Sequence, residues 1–181
     1  MQYHPETCRK TMQSPWGLLT LAANPKGLCG VWFENQKHFP DTQSWTVDKH
    51  NPLLLQAEQI LEQFFQQKWP KGSSAHTVLK KLPLDTSGGT PFQQAVWQAL
   101  MSIPMGRTCS YGELAAAIGR PRAVRAVGTA IGRNPISILI PCHRVLGTQG
   151  QLTGYAGGEW RKQALLTLEN ANFTAKASSN R

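Results

Sequence analysis

Gly119 and Pro121 stand two residues apart with a helical pattern on either side, and so short an interval leaves room only for a tight turn. Ahead of them, Ser110-Tyr111-Gly112-Glu113 has the form of a capping box: the serine hydroxyl accepts from the Glu113 N–H while the glutamate carboxylate reaches back to the serine N–H. A short helix is therefore predicted from this box to Ile118. Gly119 can take the left-handed conformation that closes a helix, and Pro121 can open the next one, predicted over residues 122–131. Two short helices joined in this way form a helix-turn-helix. The second carries Ala123, Ala126, Gly128, Thr129, Ala130 and, just beyond it, Gly132 around its surface. Small residues let another body approach closely, either a packed neighbouring helix or the groove of a nucleic acid.

Charge favours the nucleic acid. The chain has a formal net charge of +9, distributed unevenly: residues 1–90 hold nine Lys/Arg against seven Asp/Glu, and residues 91–181 ten against three. Arg107, Arg120, Arg122, Arg125, Arg133 and Arg144 fall in one stretch whose single acid is Glu113. A solvated basic face would account for this, but the planar guanidinium fork suits phosphate, and contact with a polyanion is the expectation.

The rest of the chain reads as an α/β fold in two parts. Apolar runs at 17–22 and 28–33, separated by Asn24-Pro25-Lys26-Gly27, predict a β-hairpin. Pro52 opens a helix with Leu54, Ala57, Ile60, Leu61, Phe64 and Phe65 on one face, closed by Pro70 and Gly72. The Pro, Gly and Ser content of residues 82–90 marks a connector. Thr90-Pro91 then starts a helix with Phe92, Ala95, Val96, Ala99 and Leu100 as its apolar face. The expected division is a small N-terminal α/β domain with its connector at 1–87, a mostly helical domain at 88–172 and a polar tail at 173–181. No apolar run is long enough to span a bilayer and the first ten residues carry no secretory pattern, so a cytoplasmic protein is expected. Cys8, Cys29, Cys109 and Cys142 are widely spaced, with no CxxC pair and no clustered histidine; reduced thiols, and neither metal nor cofactor, are expected.

Asn134-Pro135 ends the second helix of the turn motif and leads into Ile136-Ser137-Ile138-Leu139-Ile140, an apolar run read as a buried strand, which stops at Pro141-Cys142-His143-Arg144-Val145. A thiol becomes nucleophilic on ionisation, and a nearby histidine or cation promotes this. A lone buried cysteine is otherwise structural, and neighbours on a strand point to opposite faces, so cooperation between Cys142 and His143 needs a turn.

Asn134-Pro-Ile-Ser-Ile-Leu-Ile-Pro-Cys-His-Arg-Val resembles the signature of the O6-alkylguanine-DNA alkyltransferases. Thr90-Pro-Phe-Gln, Ser110-Tyr-Gly-Glu-Leu-Ala, Arg125-Ala-Val-Gly and Thr153-Gly-Tyr-Ala-Gly-Gly, followed by Leu165-Leu-Thr-Leu-Glu169, stand in that family's order, so the resemblance covers residues 90–170. The first half resembles the family more loosely, through Ser14-Pro15-Trp16-Gly17 in a strand–turn–strand setting, and the length is most similar to stand-alone bacterial members.

The resemblance implies a ribonuclease H-like N-terminal domain and a winged helix-turn-helix-like motif in the second. It implies repair of O6-methylguanine, with O4-methylthymine, by irreversible stoichiometric transfer of the alkyl group to Cys142. His143 would act through a bound water as the base, Glu169 would orient it, and Asn134 would hold the turn. Tyr111 would rotate the 3′ phosphate and donate to the leaving guanine. Arg125 would fill the gap left by the flipped base, with Arg120, Gly128 and Thr148 also on the DNA and the helix in the minor groove. Val145, Tyr155, Ala156 and Gly157 would line the base pocket, the main-chain carbonyls of Cys142 and Val145 accepting from the guanine amino group. Ser137 and Ala156 stand where some relatives have Pro and Ser, which bears on pocket width. Some relatives bind zinc in the first domain; Cys8 and Cys29 lack matching histidines. The implied partner is double-stranded DNA containing O6-alkylguanine, met by a monomer away from any membrane. Two other classes compete: a non-catalytic DNA-binding protein, of which the lesion-sensing relatives lack the acceptor cysteine, and a cysteine hydrolase or redox protein, which needs no arginine-lined, small-residue helix.

Overall fold

The computed structural model describes residues 1–69 and 81–174. The first half holds a four-stranded sheet in the order β3-β2-β1-β4, with β1 at Cys8–Ser14, β2 at Gly17–Asn24, β3 at Gly27–Phe33 and β4 at Thr46–Val47. The expected hairpin is β2–β3, its turn closed by the Asn24 side chain accepting from the Lys26 and Gly27 N–H groups. β1 was not anticipated from its pattern, because one of its inward positions is Lys10, which pairs with Glu58 of the helix packed on the sheet. That helix, α1 at Pro52–Gln66, is capped by Asn51 and buries Leu54, Ala57, Ile60, Leu61 and Phe64 as the spacing predicts. It ends at Gln67, in the left-handed conformation; Pro70 and Gly72, the expected stop, lie outside the described residues. Every residue of β3 is buried, since α1 covers one face while Tyr3, Phe39 and Trp45 gather around Trp32 on the other.

The second half contains α2 at Pro91–Leu100, α3 at Tyr111–Ala117, α4 at Val124–Gly132 and α5 at Glu159–Leu168, with a short parallel pair of β5 at Cys109–Ser110 and β6 at Val145–Leu146. The predicted capping box of Ser110 with Glu113 forms, and the helix start read at Thr90-Pro91 carries a second, of Thr90 with Gln93. On α2 the buried face is rotated from the predicted one: Trp97 is enclosed and Ala95 exposed, because the indole N–H donates to Ala130 O at 2.9 Å and fastens α2 to α4. α3 closes as expected, with Gly119 at φ +69° and the Gly119 and Arg120 N–H groups bonded back to Ala116 O and Ala115 O. α4 starts two residues later than predicted. Pro121 and Arg122 lie in the turn, and Ala123 caps the helix with no side-chain hydrogen bond.

The two halves share one core. The connector is pinned to β3, with Leu28 N donating to Pro83 O and Asp85 N to Leu28 O, both at 2.8 Å. Val31 N donates to Pro135 O and Ser137 N to Val31 O, both at 2.9 Å. At the far end, Thr174 N donates to Gly150 O at 2.8 Å, so the expected polar tail begins in ordered contact; residues 175–181 lie outside the described residues.

Candidate active site and nucleic-acid face

Residues 136–140 are not a strand. Ile136 makes a single bridge to Val31, and the chain then turns, with Ile138 at φ +73° and Ile140 N bonded to Ile136 O. Pro135 and Pro141 remove ladder donors at both ends of the run. Asn134 completes the turn: its amide nitrogen donates to Ile140 O at 2.8 Å while its oxygen accepts from Ile136 N at 3.0 Å. The same nitrogen lies 3.0 Å from Cys142 Sγ. Cys142, His143 and Arg144 form a single turn of 3-10 helix, which supplies the bend that a strand would have denied.

All three side chains are buried. His143 Nε2 is 2.9 Å from Glu169 Oε1, and Arg144 grips the same carboxylate with Nε to Oε2 at 2.8 Å and Nη2 to Oε1 at 2.7 Å. Burial alone would raise the Glu169 carboxyl, but the His143 and Arg144 donors outweigh it and hold it at about 2. Burial lowers His143 despite the carboxylate, so the ring is neutral at physiological pH. A neutral imidazole has one N–H and a carboxylate only accepts; the proton is therefore on Nε2 and the lone pair on Nδ1, which has no partner among the described residues. Arg144, grouped by sequence with the phosphate-binding arginines, belongs instead to this buried cluster, its Nη1 donating to Ile103 O at 2.6 Å.

The Cys142 thiol is not depressed, as a cysteine beside His and Arg was expected to be. Burial pushes it up, and the Asn134 amide and the Lys162 ammonium pull back only in part. Lys162, unremarked in sequence, is fully buried on α5, where burial brings its ammonium down to about 8. Its Nζ donates to Val145 O at 2.6 Å and Thr153 O at 2.8 Å. The Val145 and Cys142 carbonyls each already accept one bond, the latter from Val145 N, and retain a second lone pair. Position was the only sequence signal for Lys162, which lies three and four residues from Leu165 and Leu166 on one helix face.

Tyr111 reaches toward the thiol from α3. Thr153 Oγ1 donates to its hydroxyl at 3.2 Å, which leaves the phenolic hydrogen free, and burial raises the phenol so that it stays protonated. A Cβ on Gly128 would stand 3.7 Å from the Tyr111 ring, so α4 presents its smallest residue there. The hydroxyl of Tyr155 is buried beside Ser137 and Cys142 and forms no well-made hydrogen bond among the described residues. Ser137 donates to Gln36 at 3.2 Å, a contact from the first half that sequence reasoning missed. Ala156 and Gly157 follow in the loop that leads to α5.

α4 buries Val127, Ala130 and Ile131 and exposes Arg125, Ala126 and Thr129. Arg107, Arg120, Arg122 and Arg133 are exposed as well, as is Thr148 in the turn after β6. The first turn of α4 has neither a side-chain cap nor an acid, so its N–H groups and positive dipole end face outward beside Arg120 and Arg122. Among the described residues no three His, Cys, Asp or Glu side chains gather as a metal site, and no helix is long and apolar enough to cross a membrane.

Comparison with known proteins agrees with this layout. Residues 91–171 match the family described as "6-O-methylguanine DNA methyltransferase, DNA binding domain", and residues 8–74 its "ribonuclease-like domain". The methylated-DNA--protein-cysteine methyltransferase of Mycobacterium tuberculosis is 43% identical over 166 residues, covering 92% of this chain and 94% of the relative. That of Methanosarcina barkeri is 44% identical over 163 residues, covering 90% and 96%. A crystal structure of the M. tuberculosis protein in complex with DNA superimposes with a TM-score of 0.76 at 43% identity, covering 90% of this chain and 92% of the other.

Proposed function

The chain belongs to the 6-O-methylguanine DNA methyltransferase family, and from that premise we propose that it repairs alkylated duplex DNA by moving the alkyl group of a flipped O6-alkylguanine onto Cys142. The observation that carries this reading is the buried Glu169–His143 pair, on the residue next to Cys142 in the same 3-10 turn, with the imidazole lone pair on an Nδ1 unpartnered among the described residues. A buried thiol held protonated needs a base. His143 takes its proton through a bridging water, and Glu169 stabilises the imidazolium that results. The sulfur attacks the alkyl carbon, the carbon–O6 bond breaks with its electron pair passing to the guanine, and the Tyr111 hydroxyl supplies the proton that the leaving base needs. Asn134 holds the turn and donates to the sulfur as it ionises. Tyr155, Ala156, Gly157 and Val145 form the pocket. The product is a thioether, which is not a leaving group for regeneration, so each molecule acts once, as a monomer.

The test is mass spectrometry after incubation with a duplex holding one O6-methylguanine, with Cys142→Ser as the unmodified control. Trypsin releases residues 134–144, in which Cys142 is the only cysteine; this peptide is expected to gain one methyl group, with product levelling off at one equivalent. A methyl group on Cys8, Cys29 or Cys109, or continued turnover, overturns the reading.

The exposed arginine of α4 gives a second prediction. Guanine O6 faces the major groove, so with α4 in the minor groove the base must leave the stack before Cys142 can reach it. Unstacking costs on the order of a few kcal/mol, and Arg125 filling the gap offsets part of that. Arg125→Ala is expected to slow repair of duplex DNA about tenfold or more while leaving reaction with the free modified base near the wild-type rate. Equal loss with both substrates would mean that Arg125 supports the pocket and not the flip.

A further inference from the structure

The side chain of Arg161 ties the loop that walls the alkyl pocket to the other half of the molecule. Arg161, the third residue of α5, donates from Nη1 to Gly157 O at 2.7 Å and from Nε to Trp16 O at 2.9 Å. Gly157 belongs to the pocket loop; Trp16 lies in the turn between β1 and β2, 145 residues earlier in the chain. The guanidinium is sandwiched between aromatic rings, 4.7 Å from the centroid of Phe33 at the end of β3 and 4.6 Å from that of Trp160. Trp160 is otherwise unaccounted for: it is 55% exposed, and its role here is to cover one face of the cation.

The surroundings make the position of this loop a matter of tenths of an ångström. A Cβ at Gly157 would stand 2.8 Å from the Tyr155 ring and 3.1 Å from the Phe33 ring, so the loop already lies against both. Gly158, at φ +95°, turns the chain into α5 in a conformation open to few other residues. Ala156 O accepts from Lys37 N at 2.8 Å, a second link to the first half, made by main chain alone. The facing wall is referenced to the same sheet, through the Val31 bonds to Pro135 and Ser137 and the Ser137 hydroxyl on Gln36. Both walls of the pocket are thus measured from β3 and its flanking turns, and Arg161 is the adjustable link on the loop side.

Resting on the alkyl-transfer reading above, we propose that Arg161 is a positioning residue that sets the width of the alkyl pocket, so that it governs discrimination between small and bulky alkyl groups without touching the substrate. The planar fork spans two carbonyls in fixed geometry, which a lysine ammonium cannot reproduce. A loosened loop costs a methyl group most, because its only guide to the sulfur is the wall against it. A benzyl group fills the wider pocket and guides itself.

The experiment places O6-methylguanine and O6-benzylguanine in the same duplex sequence, so that DNA binding cancels, and measures single-turnover transfer against protein concentration. For Arg161→Ala the limiting rate with the methyl lesion is expected to fall about tenfold, with the half-saturating concentration unchanged and the benzyl rate held within about threefold. Arg161→Lys is expected to recover part of the ratio, and Trp160→Ala to shift it in the same direction by a smaller factor. Arg161→Lys carries the test should the alanine variant fail to fold. A benzyl-to-methyl ratio within about twofold of wild type in the folded variants overturns the proposal, as does an equal fall with both lesions. A wild-type protein that leaves Cys142 unmodified overturns instead the underlying reading, and the proposal with it.

Discussion

Replacing His143 by alanine is expected to slow alkyl transfer at pH 7 by about a hundredfold or more, and to change how the rate depends on pH. In the wild type the thiol is held above its ordinary value by burial, while the imidazole is held below its own, so throughout the interval between them the thiol is protonated and the base is free. The rate is then flat from neutrality to the alkaline side. Without the ring, the reaction depends on the fraction of thiolate, which grows about tenfold per pH unit below the thiol pKa. The variant should therefore gain about two decades between pH 7 and pH 9 and approach the wild type from below. Rapid-quench transfer assays across that range decide the matter. Two parallel profiles would exclude His143 as the base.

The second large effect is on stability. Glu169 satisfies Arg144 with two hydrogen bonds and His143 with a third, all buried. Glu169→Ala leaves a guanidinium inside the protein with Ile103 O as its one remaining partner among the described residues, and breaking a buried pair in this way costs about 3–5 kcal/mol. The pKa shift has the same sign: a carboxyl held below its ordinary value contributes stability present above the unfolded value and lost as the pH falls through the folded one. Urea denaturation should show the full gap between wild type and variant at pH 7, narrowing below pH 4.5 toward pH 2. A gap under about 1 kcal/mol at neutrality, or one that stays constant into acid, would mean that the cluster contributes nothing net to folding.

The two predictions share a cluster of which sequence reading recovered only part. Cys142, His143, Glu169, Asn134 and Tyr111 were named from the family resemblance, and one turn of 3-10 helix pairs Cys142 with Asn134 and the adjoining His143 with Glu169. Arg144 was misassigned because a surface guanidinium and a buried one are written identically; here the carboxylate that claims it comes 25 residues later. The strand read into residues 136–140 failed for a related reason. Its apolar composition reports burial, which is correct, but the Asn134 amide and the two prolines decide the backbone path.

What the sequence determined by itself is local. The Ser110 capping box, the helix starts at Pro52 and Thr90-Pro91, the β2–β3 turn and the Gly119 closure of α3 each depend on groups a few residues apart, and each formed as read. Tertiary structure alone decided the rest: the buried Lys162 bridging two carbonyls, Gln36 on Ser137, Trp97 on Ala130, Arg161 between Trp16 and Gly157, and the direction in which the Cys142 thiol shifts. These depend on which distant surfaces remove water from a group and which donors then reach it. A pKa is the balance of the two, and neither is encoded by the residues on either side.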